Sequence, residues 1–358
     1  MRRVLILLAV IAISGCNVNN NEIYNLKAQW YLEALNSIRT KYTRIKIAVI
    51  WSEEWQNSDG SWSDLRVNSS PWALDAFREG ISSNYYLGKE ALPDSGMNIL
   101  PPETGCFFGA MPGWGTNEDS AFTTKLDSFA QLVGKSVAFS PFSIFWGEYV
   151  DGDNFDWIAH NLNEISRYGA IPMVRLMPWG EPYWESSFQP RYSLQRIIDG
   201  DFDQFLTQIA DIIRQFGKPV FITFAMEMNG NWFPWSGVFQ GADSTTGYGD
   251  PDKPDGPERY VDAFRHVVEI FRQTGATNAI WYFQPNDHSY PETSWNSIEN
   301  YYPGDDCVEW IGFSLYGAQT QDESWVWFDD IMTPIYQELT EDFPNKPLML
   351  AEFGVMER

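Results

Sequence analysis

Apolar runs of strand length alternate with amphipathic stretches of helix length from residue 106 to the end of the chain. The apolar runs are short and bounded by turn-forming residues, and the amphipathic stretches repeat their apolar positions every three or four residues. Strands are predicted at 106–111, 137–142, 171–177, 220–225, 279–283, 308–315 and 348–351. Helices are predicted at 125–133, 155–168, 201–216, 258–273 and 325–339. This alternation indicates parallel βα units, the pattern of an α/β fold.

The strand count of this region is one short of a closed barrel. A barrel of βα units needs eight strands, and a remnant of seven would leave two unpaired edges. The residues before 106 supply the missing pieces, because they predict a helix at 26–42, a strand at 45–51 and a helix at 71–81. Residues 82–102, rich in Gly and Pro, predict a linker.

We therefore predict one (β/α)8 TIM barrel that is circularly permuted, so that the last helix–strand–helix unit precedes the first strand. Its parts are the front unit at 23–81, the linker at 82–102 that joins the former termini, and the first seven strands at 103–358. The ends of a barrel lie close together, which makes this rearrangement sterically easy. The alternative is a gene that joins the tail of one barrel to the body of another. Permutation is favoured because the pieces sum to one complete barrel.

The start of the chain has the pattern of an export signal. Two arginines precede an apolar run at 4–13, which is too short to span a membrane. The residues ending in Cys16 resemble a bacterial lipobox, which implies a signal peptide at 1–15, a lipid on Cys16 and a tether at 16–22. Asn17, in place of Asp, implies a lipoprotein of the bacterial outer membrane or cell surface. An ordinary cleaved signal peptide beside a chance cysteine is the alternative.

The amino-acid composition limits the classes of molecule that this protein is expected to bind. A net charge of −24 repels phosphate and so excludes nucleic acid, but it leaves neutral glycans unaffected. The 17 Trp, 17 Tyr and 24 Phe suit stacking on sugar rings and would also suit a large core. The spacing of Cys106 and Cys307 does not decide whether they pair, and two buried thiols are favoured over a disulfide. No His or Cys cluster has metal-ligand spacing, so no metal or cofactor is expected.

Two of the predicted strands end in a carboxylate. The run at 220–225 stops before Glu227, which is followed by Asn229 and by aromatics such as Trp232, and the last strand stops at Glu352. The C-terminal ends of barrel strands meet at one face, where active sites lie. A carboxylic acid can protonate a glycosidic oxygen, and aromatic faces stack on pyranose rings. A lone strand-end glutamate is more often only solvated, but two such strands with aromatic flanks favour glycoside hydrolysis.

These segments resemble glycoside hydrolase family 26, most members of which are β-mannanases. The resemblance rests on Glu227-Met228-Asn229-Gly230 with Trp232-Phe233-Pro234-Trp235, on 301–306 with 308–312 and Tyr316, on Ala351-Glu352-Phe353-Gly354, and at the front on 42–47, 66–71 and 76–78. It implies that Glu227 is the general acid/base and Glu352 the nucleophile of a retaining enzyme, with Tyr316 hydrogen-bonded to the nucleophile. The candidate substrate-binding residues are Tyr316, Trp232, Trp51, Trp179, Trp146 and Asn229.

The resemblance further implies an endo-acting hydrolase of β-1,4-linked plant-type polysaccharide, β-mannan before others. Such a protein needs no cofactor, acts as a monomer and meets the membrane only through its lipid. Two positions depart from the family: Met226 stands where most members have His, and Thr223 lies where Arg is common. These departures keep a lichenase-like β-glucanase and a xylanase open as alternatives. A surface glycan-binding lipoprotein without turnover and a non-functional fragment also stay open.

Overall fold

The computed structural model describes residues 25–57, 59–93, 99–115, 118–150, 155–183 and 187–358. The predicted signal peptide, Cys16 and the tether lie outside these residues. Within the described ranges no helix is both long enough and apolar enough to cross a membrane.

Parallel strands form a closed barrel in the described part of the chain. The described strands are β1 (Ile45–Trp51), β2 (Glu54–Gln56), β3 (Trp62–Asp64), β4 (Tyr86–Leu87), β5 (Cys106–Met111), β6 (Phe139–Phe145), β7 (Ile171–Met177), β8 (Val220–Phe224), β9 (Ala279–Phe283), β10 (Trp310–Tyr316) and β11 (Leu348–Gly354). Strands β2 and β3 pair antiparallel with each other in a separate sheet. Strands β5 to β11 pair in chain order, and β1 lies between β11 and β5, so that these eight described strands close the ring. The prediction of a (β/α)8 TIM barrel is confirmed.

Helices cover the outside of the barrel. Their bounds are α1 (Leu26–Thr40), α2 (Pro71–Ile81), α3 (Thr123–Val133), α4 (Trp146–Tyr149), α5 (Asp156–Tyr168), α6 (Leu194–Ile198), α7 (Asp203–Phe216), α8 (Asp255–Thr274) and α9 (Phe328–Asp342). The helices of the front unit begin at side-chain caps. Asn25 Oδ1 accepts the N–H of Ala28 at 3.2 Å, and Ser70 Oγ accepts the N–H of Ala73 at 3.2 Å ahead of the helix-initiating Pro71.

The front unit closes the ring. β1 pairs with β5 in a register that runs from Ile47–Phe107 to Trp51–Met111, and its other edge pairs with β11. Both edges of β11 are therefore paired, which removes the exposed edge that a barrel of seven strands would have. That this order arose by circular permutation stays a prediction.

The predicted linker contains short regular elements. Strand β4 adds to β5 in parallel pairing at Tyr86–Cys106, and Lys89–Ala91 form a 3-10 turn. The Lys135 ammonium donates to the carbonyl oxygens of Ser83 and Tyr86 at 2.9 and 2.7 Å. The described part of the linker thus packs at the N-terminal end of the barrel strands, opposite the face where strands end.

Some element ends differ from their predicted positions by a few residues. Strand β6 runs to Phe145 rather than 142, α8 begins at Asp255 rather than 258, and β11 continues through Glu352 to Gly354. Pairing and packing with neighbouring elements decide where an element ends, and the local pattern does not contain that information. The last difference matters most, because it places Glu352 within a paired strand.

The core has two apolar layers and a polar one. Side chains that point into the barrel form an interior plug that includes Ile47, Val49, Phe107, Phe139, Met173, Phe221, Trp310, Met349 and Ala351. A larger apolar layer fills the space between strands and helices, and Cys106 and Cys307 are buried with free thiols. Above the plug, toward the C-terminal ends of the strands, lies a polar layer of the buried residues Ser143, Arg175, Thr223, Ser314 and Glu352. This polar layer is the floor of the candidate site.

Candidate active site

Glu352 faces the barrel interior because β11 is irregular at this point. Consecutive residues of β10 pair with Leu350 and Glu352, so that Ala351 is an extra residue on β11. A bulge of this kind shifts the alternation of side chains along a strand. Ala351 packs in the interior plug and Phe353 in the outer apolar layer, while the Glu352 side chain lies in the polar layer between them.

Both carboxylate oxygens of Glu352 accept hydrogen bonds. Oε1 accepts from Arg175 Nη1 at 2.6 Å and from Gln284 Nε2 at 3.3 Å, and Oε2 accepts from Tyr316 Oη at 2.9 Å. The side chain is 4% exposed. Donors from β7, from the end of β9 and from β10 therefore fix the orientation of this carboxylate.

Glu227 follows β8 in a strained turn. Ala225 and Glu227 have φ angles of 48° and 56°, in the left-handed region that costs a residue other than Gly about 1 kcal/mol or more. The N–H of Glu227 donates to the carbonyl of Gln284 at 2.7 Å, and its own carbonyl accepts from Gly230 at 3.0 Å. These bonds hold a conformation that the chain alone would avoid, as is frequent at active sites.

The environment of Glu227 favours its protonated form. Burial raises the pKa of Glu227 to about 7, and the charge of Glu352 adds to the rise. Hydrogen bonds from Ser314 and Trp232 partly offset it, and Trp232 Nε1 donates to Glu227 Oε2 at 2.7 Å. Near neutral pH a large share of the molecules therefore carries a proton on Glu227.

A hydrogen-bond network joins the two glutamates. Gln284 Nε2 donates to Ser314 Oγ at 3.0 Å and to Glu352 at 3.3 Å, and Ser314 bonds in turn to Glu227. One carboxyl that retains its proton thus lies close to another that is held as an acceptor. Two carboxyl groups whose environments differ in this way can divide acid and nucleophile roles between them.

Arg175 on β7 places a buried cation beside Glu352. Its Nη2 donates to Glu118 Oε2 at 2.9 Å, and its guanidinium lies over the Trp51 ring, 4.9 Å from the centroid. Burial alone would lower the pKa of Arg175, but Glu118 and Glu352 outweigh burial and raise it well above its ordinary value. The guanidinium therefore stays charged.

Two open cavities lie among the loops that follow the barrel strands. One of about 540 Å³ lies between the loops after β6 and β7 and is lined by Glu148, Tyr183, Arg191 and Tyr192, among others. Another of about 710 Å³ lies between the loops after β8 and β9, where Tyr290 packs edge-on against Trp232 at 5.7 Å. In the part of the chain that the structure describes, no group of three His, Cys, Asp or Glu side chains is arranged to hold a metal ion.

Comparison with known families agrees with this arrangement. The family model described as Glycosyl hydrolase family 26 matches residues 185–348, a range that holds Glu227, Gln284 and Tyr316. Residues 185–348 of this chain are therefore similar to glycosyl hydrolase family 26. The family model stops at the first residue of β11, so Glu352 and the front unit lie outside the matched range.

The relatives of this chain differ in the activities that their names give. Endoglucanase H of Acetivibrio thermocellus is 28% identical over 237 residues, which cover 65% of this chain and 23% of that protein. Beta-1,3-xylanase TXYA of Vibrio sp. is 26% identical over 127 residues, which cover 35% of this chain and 23% of that protein. The crystal structure of a beta-mannanase from a symbiotic protist of the termite Reticulitermes speratus matches with 21% identity and a TM-score of 0.49, covering 68% of this chain and 73% of that one.

Three of the predicted substrate-binding residues lie against Glu227, Glu352 or Arg175. Trp232 contacts Glu227, Tyr316 contacts Glu352, and Trp51 lies against Arg175. Trp51 and Tyr316 come from the last residues of β1 and β10, and Trp232 comes from the loop after β8. The sequence thus brings them to one face, while their roles toward a substrate stay predictions.

The other two tryptophans were expected either to line the cleft or to lie in the core or at the rim, and both are buried. Trp146 is 0% exposed and packs against Phe205 at 5.2 Å, in the layer between strands and helices. Trp179 is 1% exposed and packs edge-on against Trp235 at 5.5 Å. A strand end can turn its last aromatic outward under the helices as well as into the cleft, and here both rings are covered.

Asn229, another predicted substrate-binding residue, is buried and hydrogen-bonded within the protein. Its side chain is 0% exposed, and Oδ1 accepts the N–H of Asn286 at 2.8 Å. Its Nδ2 donates to the carbonyl oxygens of Asn286 and His288 at 3.1 and 3.3 Å. The side-chain amide of Asn229 therefore links the loop after β8 to the loop after β9, and its oxygen and nitrogen are both engaged in these hydrogen bonds.

Several polar residues of the site were not predicted from the sequence, namely Arg175, Gln284, Ser314, Glu118 and Glu53. Glu53 follows β1, and burial, with the charge of Glu118 adding, raises the pKa of Glu53 to about 7. A signal was present for Arg175 and Ser314, because each interrupts an otherwise apolar strand, and a polar residue in a buried strand is informative. Glu118 and Glu53 lie in loops and gave no such signal.

Proposed function

We propose that this protein is a retaining, endo-acting glycoside hydrolase that cleaves β-linked polysaccharide with Glu227 as general acid/base and Glu352 as nucleophile. The observation that carries the proposal is the pair itself. A buried glutamic acid with a pKa of about 7 lies in one hydrogen-bond network with a carboxylate held by Arg175 and Tyr316. The pair sits at the strand ends of a barrel similar to family 26, where such enzymes act.

The proposed reaction has two displacements. Glu352 attacks the anomeric carbon, the bond from that carbon to the leaving oxygen breaks, and Glu227 gives its proton to that oxygen. The glycosyl ester on Glu352 is then attacked by water. Glu227, now ionised, takes a proton from the water as its oxygen bonds to the anomeric carbon, and Glu352 leaves as a carboxylate. The product first released therefore keeps the anomeric configuration of the substrate.

β-Mannan is the substrate that the family resemblance favours. A β-glucan is the second candidate, supported by the 28% identity to a protein named Endoglucanase H and by Met226 and Thr223 at positions where the resemblance expects His and Arg. The two cavities among the loops after the barrel strands support binding of an extended polysaccharide chain, which endo action requires.

The test is hydrolysis of β-mannan, lichenan, carboxymethyl cellulose, β-1,4-xylan and β-1,3-xylan by the purified protein. We expect a fast fall in viscosity relative to reducing ends on at least one of them. Glu227→Gln and Glu352→Gln are expected to lose about 100-fold or more in kcat, and Glu164→Gln, a buried glutamate that caps α3, is the matched control. Binding without products on every polymer would favour the glycan-binding alternative and overturn the proposal.

We also propose that Cys16 carries a lipid that anchors the protein at the bacterial outer membrane or cell surface, and that it acts there as a monomer. The apolar run at 4–13 before Cys16 supports this. Radiolabelled palmitate should enter the full chain and not Cys16→Ser, and only the full chain should partition into detergent. An unlabelled full chain in the aqueous phase would contradict the anchor.

A further inference from the structure

Arg175 holds two carboxylates at once, on opposite ends of its guanidinium. Nη1 donates to Glu352 at 2.6 Å, and Nη2 donates to Glu118 at 2.9 Å. Arg175 is 1% exposed and Glu118 12% exposed at the side chain. Ion pairs so far from water are screened little, and their geometry follows the positions of all partners.

Glu118 is itself held in place by β6. The Ser143 N–H donates to its carbonyl at 3.0 Å, and Ser143 Oγ donates to Oε2 at 2.8 Å, the oxygen that also binds Arg175. Ser143 and Arg175 are register partners on β6 and β7. Glu118 has a φ of 54°, a strained conformation for a glutamate, which these bonds maintain.

We propose that Glu118 is a positioning residue for the nucleophile: it holds the guanidinium of Arg175 against Glu352 and shares its charge. The inference rests on the proposed function of Glu352. It adds a third carboxylate, which acts on Glu352 through Arg175 and through its own charge.

The charge of Glu118 affects the ionisation of Glu352 in one direction. The groups that face Glu352 are Arg175 on β7, Tyr282 on β9, Tyr316 on β10, Glu227 after β8 and Glu118 after β5. The groups that face Glu118 are Arg175, Glu352, Asp119 and Glu53, the last of which also faces Lys125. Removing the charge of Glu118 removes one repulsion on Glu352 and leaves it a larger share of Arg175. Both effects favour the ionised form of Glu352.

The experiment compares Glu118→Gln with wild type, because glutamine keeps the shape and one acceptor oxygen. The acidic limb of kcat/KM against pH, which reports ionisation of the nucleophile, should move to lower pH by roughly half a unit or more. Because glutamine keeps Arg175 in place, the nucleophile is only less basic, which should lower kcat by roughly 2- to 3-fold with KM nearly unchanged. Glu164→Gln, equally buried and remote from the barrel interior, should leave the limb in place. An unmoved limb in Glu118→Gln, or a limb moved to higher pH, overturns the proposal.

A second readout separates this inference from the proposed function. The Cδ resonance of Glu352 in protein labelled with 13C-glutamate, assigned by its loss in Glu352→Gln, reports its ionisation without turnover. Its midpoint should fall in Glu118→Gln whether or not any polymer is hydrolysed, so inactivity of wild type counts against the function alone. If Glu118→Gln does not fold, Ser143→Ala decides by the same resonance, because loss of its hydrogen bond to Glu118 should shift the midpoint in the same direction and by less. A midpoint unchanged in the folded variant refutes the role of Glu118.

Discussion

Arg175 on β7 lies in parallel register with Thr223 on β8. Resemblance to the family leads one to expect an arginine at position 223, and here the cation that binds Glu352 comes from the neighbouring strand. Adjacent strands lie about 5 Å apart, so a guanidinium on either one can reach the same carboxylate. The threonine therefore does not leave Glu352 without a cation.

Lysine at position 175 should not replace arginine. An ammonium lacks the planar fork that donates to Glu352 and Glu118 together, so we expect Arg175→Lys to lower kcat/KM roughly 10- to 100-fold. Steady-state kinetics measure it. Arg214→Lys, at a half-exposed arginine paired with Asp211 on α7, is the matched control and should change activity by less than about twofold. Equal activities in the two variants would refute the role of Arg175.

The proton on Glu227 predicts how activity depends on pH. Burial, with Glu352 adding, raises the pKa of Glu227 to about 7, and a general acid works only while protonated. Activity should therefore be present below neutral pH and fall as pH rises through about 7. The pH profile of kcat/KM on the best polymer measures this. A plateau that extends to pH 9 would contradict the assignment.

The raised pKa of Glu227 also has a consequence for stability. The folded state gains from binding the proton below the ordinary value of 4.5, and this gain is lost as pH rises through about 7. Glu227→Gln has no such dependence. Its unfolding temperature should therefore rise relative to wild type between pH 5 and pH 8, by an amount that corresponds to at most about 3 kcal/mol. A constant difference across that range would show that the pKa of Glu227 is ordinary.

The hydrogen bond from the Trp232 indole should set part of the pKa of Glu227. This hydrogen bond favours the charged form of Glu227, so Trp232→Phe is expected to raise the pKa of Glu227 and move the basic limb to higher pH by roughly half a unit. Lost stacking on the sugar should lower kcat/KM as well. Trp72→Phe, at a 62% exposed ring on α2, is the control with an unchanged limb. A basic limb that stays in place or moves to lower pH would exclude this role of Trp232.

Reordering the chain tests the permuted arrangement. Asn25 Nδ2 donates to Glu357 Oε1, so the start of α1 lies beside the residue before Arg358. A chain that begins at Ser82, runs to Arg358 and continues through a short linker into 25–81 should fold to the same barrel with activity within about tenfold. Chemical denaturation measures whether the reordered chain folds, and steady-state kinetics measure its activity.

Deletion of residues 25–81 provides the contrast. It exposes the edges of β5 and β11 and should abolish cooperative unfolding. A deleted chain that still folds cooperatively would mean that the front unit does not complete the barrel. Failure of the reordered chain alone would count against the permutation.

The sequence predicted the barrel because apolar runs of strand length are themselves the evidence for buried parallel strands. The run at 45–51 matched β1 to the residue, and the need for an eighth strand gave its place in the ring. The glutamates were found because each interrupts or ends such a run. Local patterns were sufficient wherever one strand and its burial decided the outcome.

Other features depend on partners distant in the chain. The bulge at Ala351 that turns Glu352 inward is a matter of register between β10 and β11, and neither strand contains it alone. Burial of Trp146 depends on Phe205 of α7, and the amide of Asn229 is consumed by a loop about 60 residues later. The sequence shows Arg175 as a charged residue inside an apolar strand, but it does not show which residues Arg175 binds.

The most direct measurement is covalent trapping of the intermediate. A 2-deoxy-2-fluoro glycoside with a good leaving group, built on the sugar of the best polymer, slows the second displacement more than the first. After brief incubation and digestion, mass spectrometry should find one sugar on the peptide that contains Glu352, and more of it in Glu227→Gln, where release is slower still. A label on another residue, or turnover that gives the inverted anomer with no label, would contradict the account.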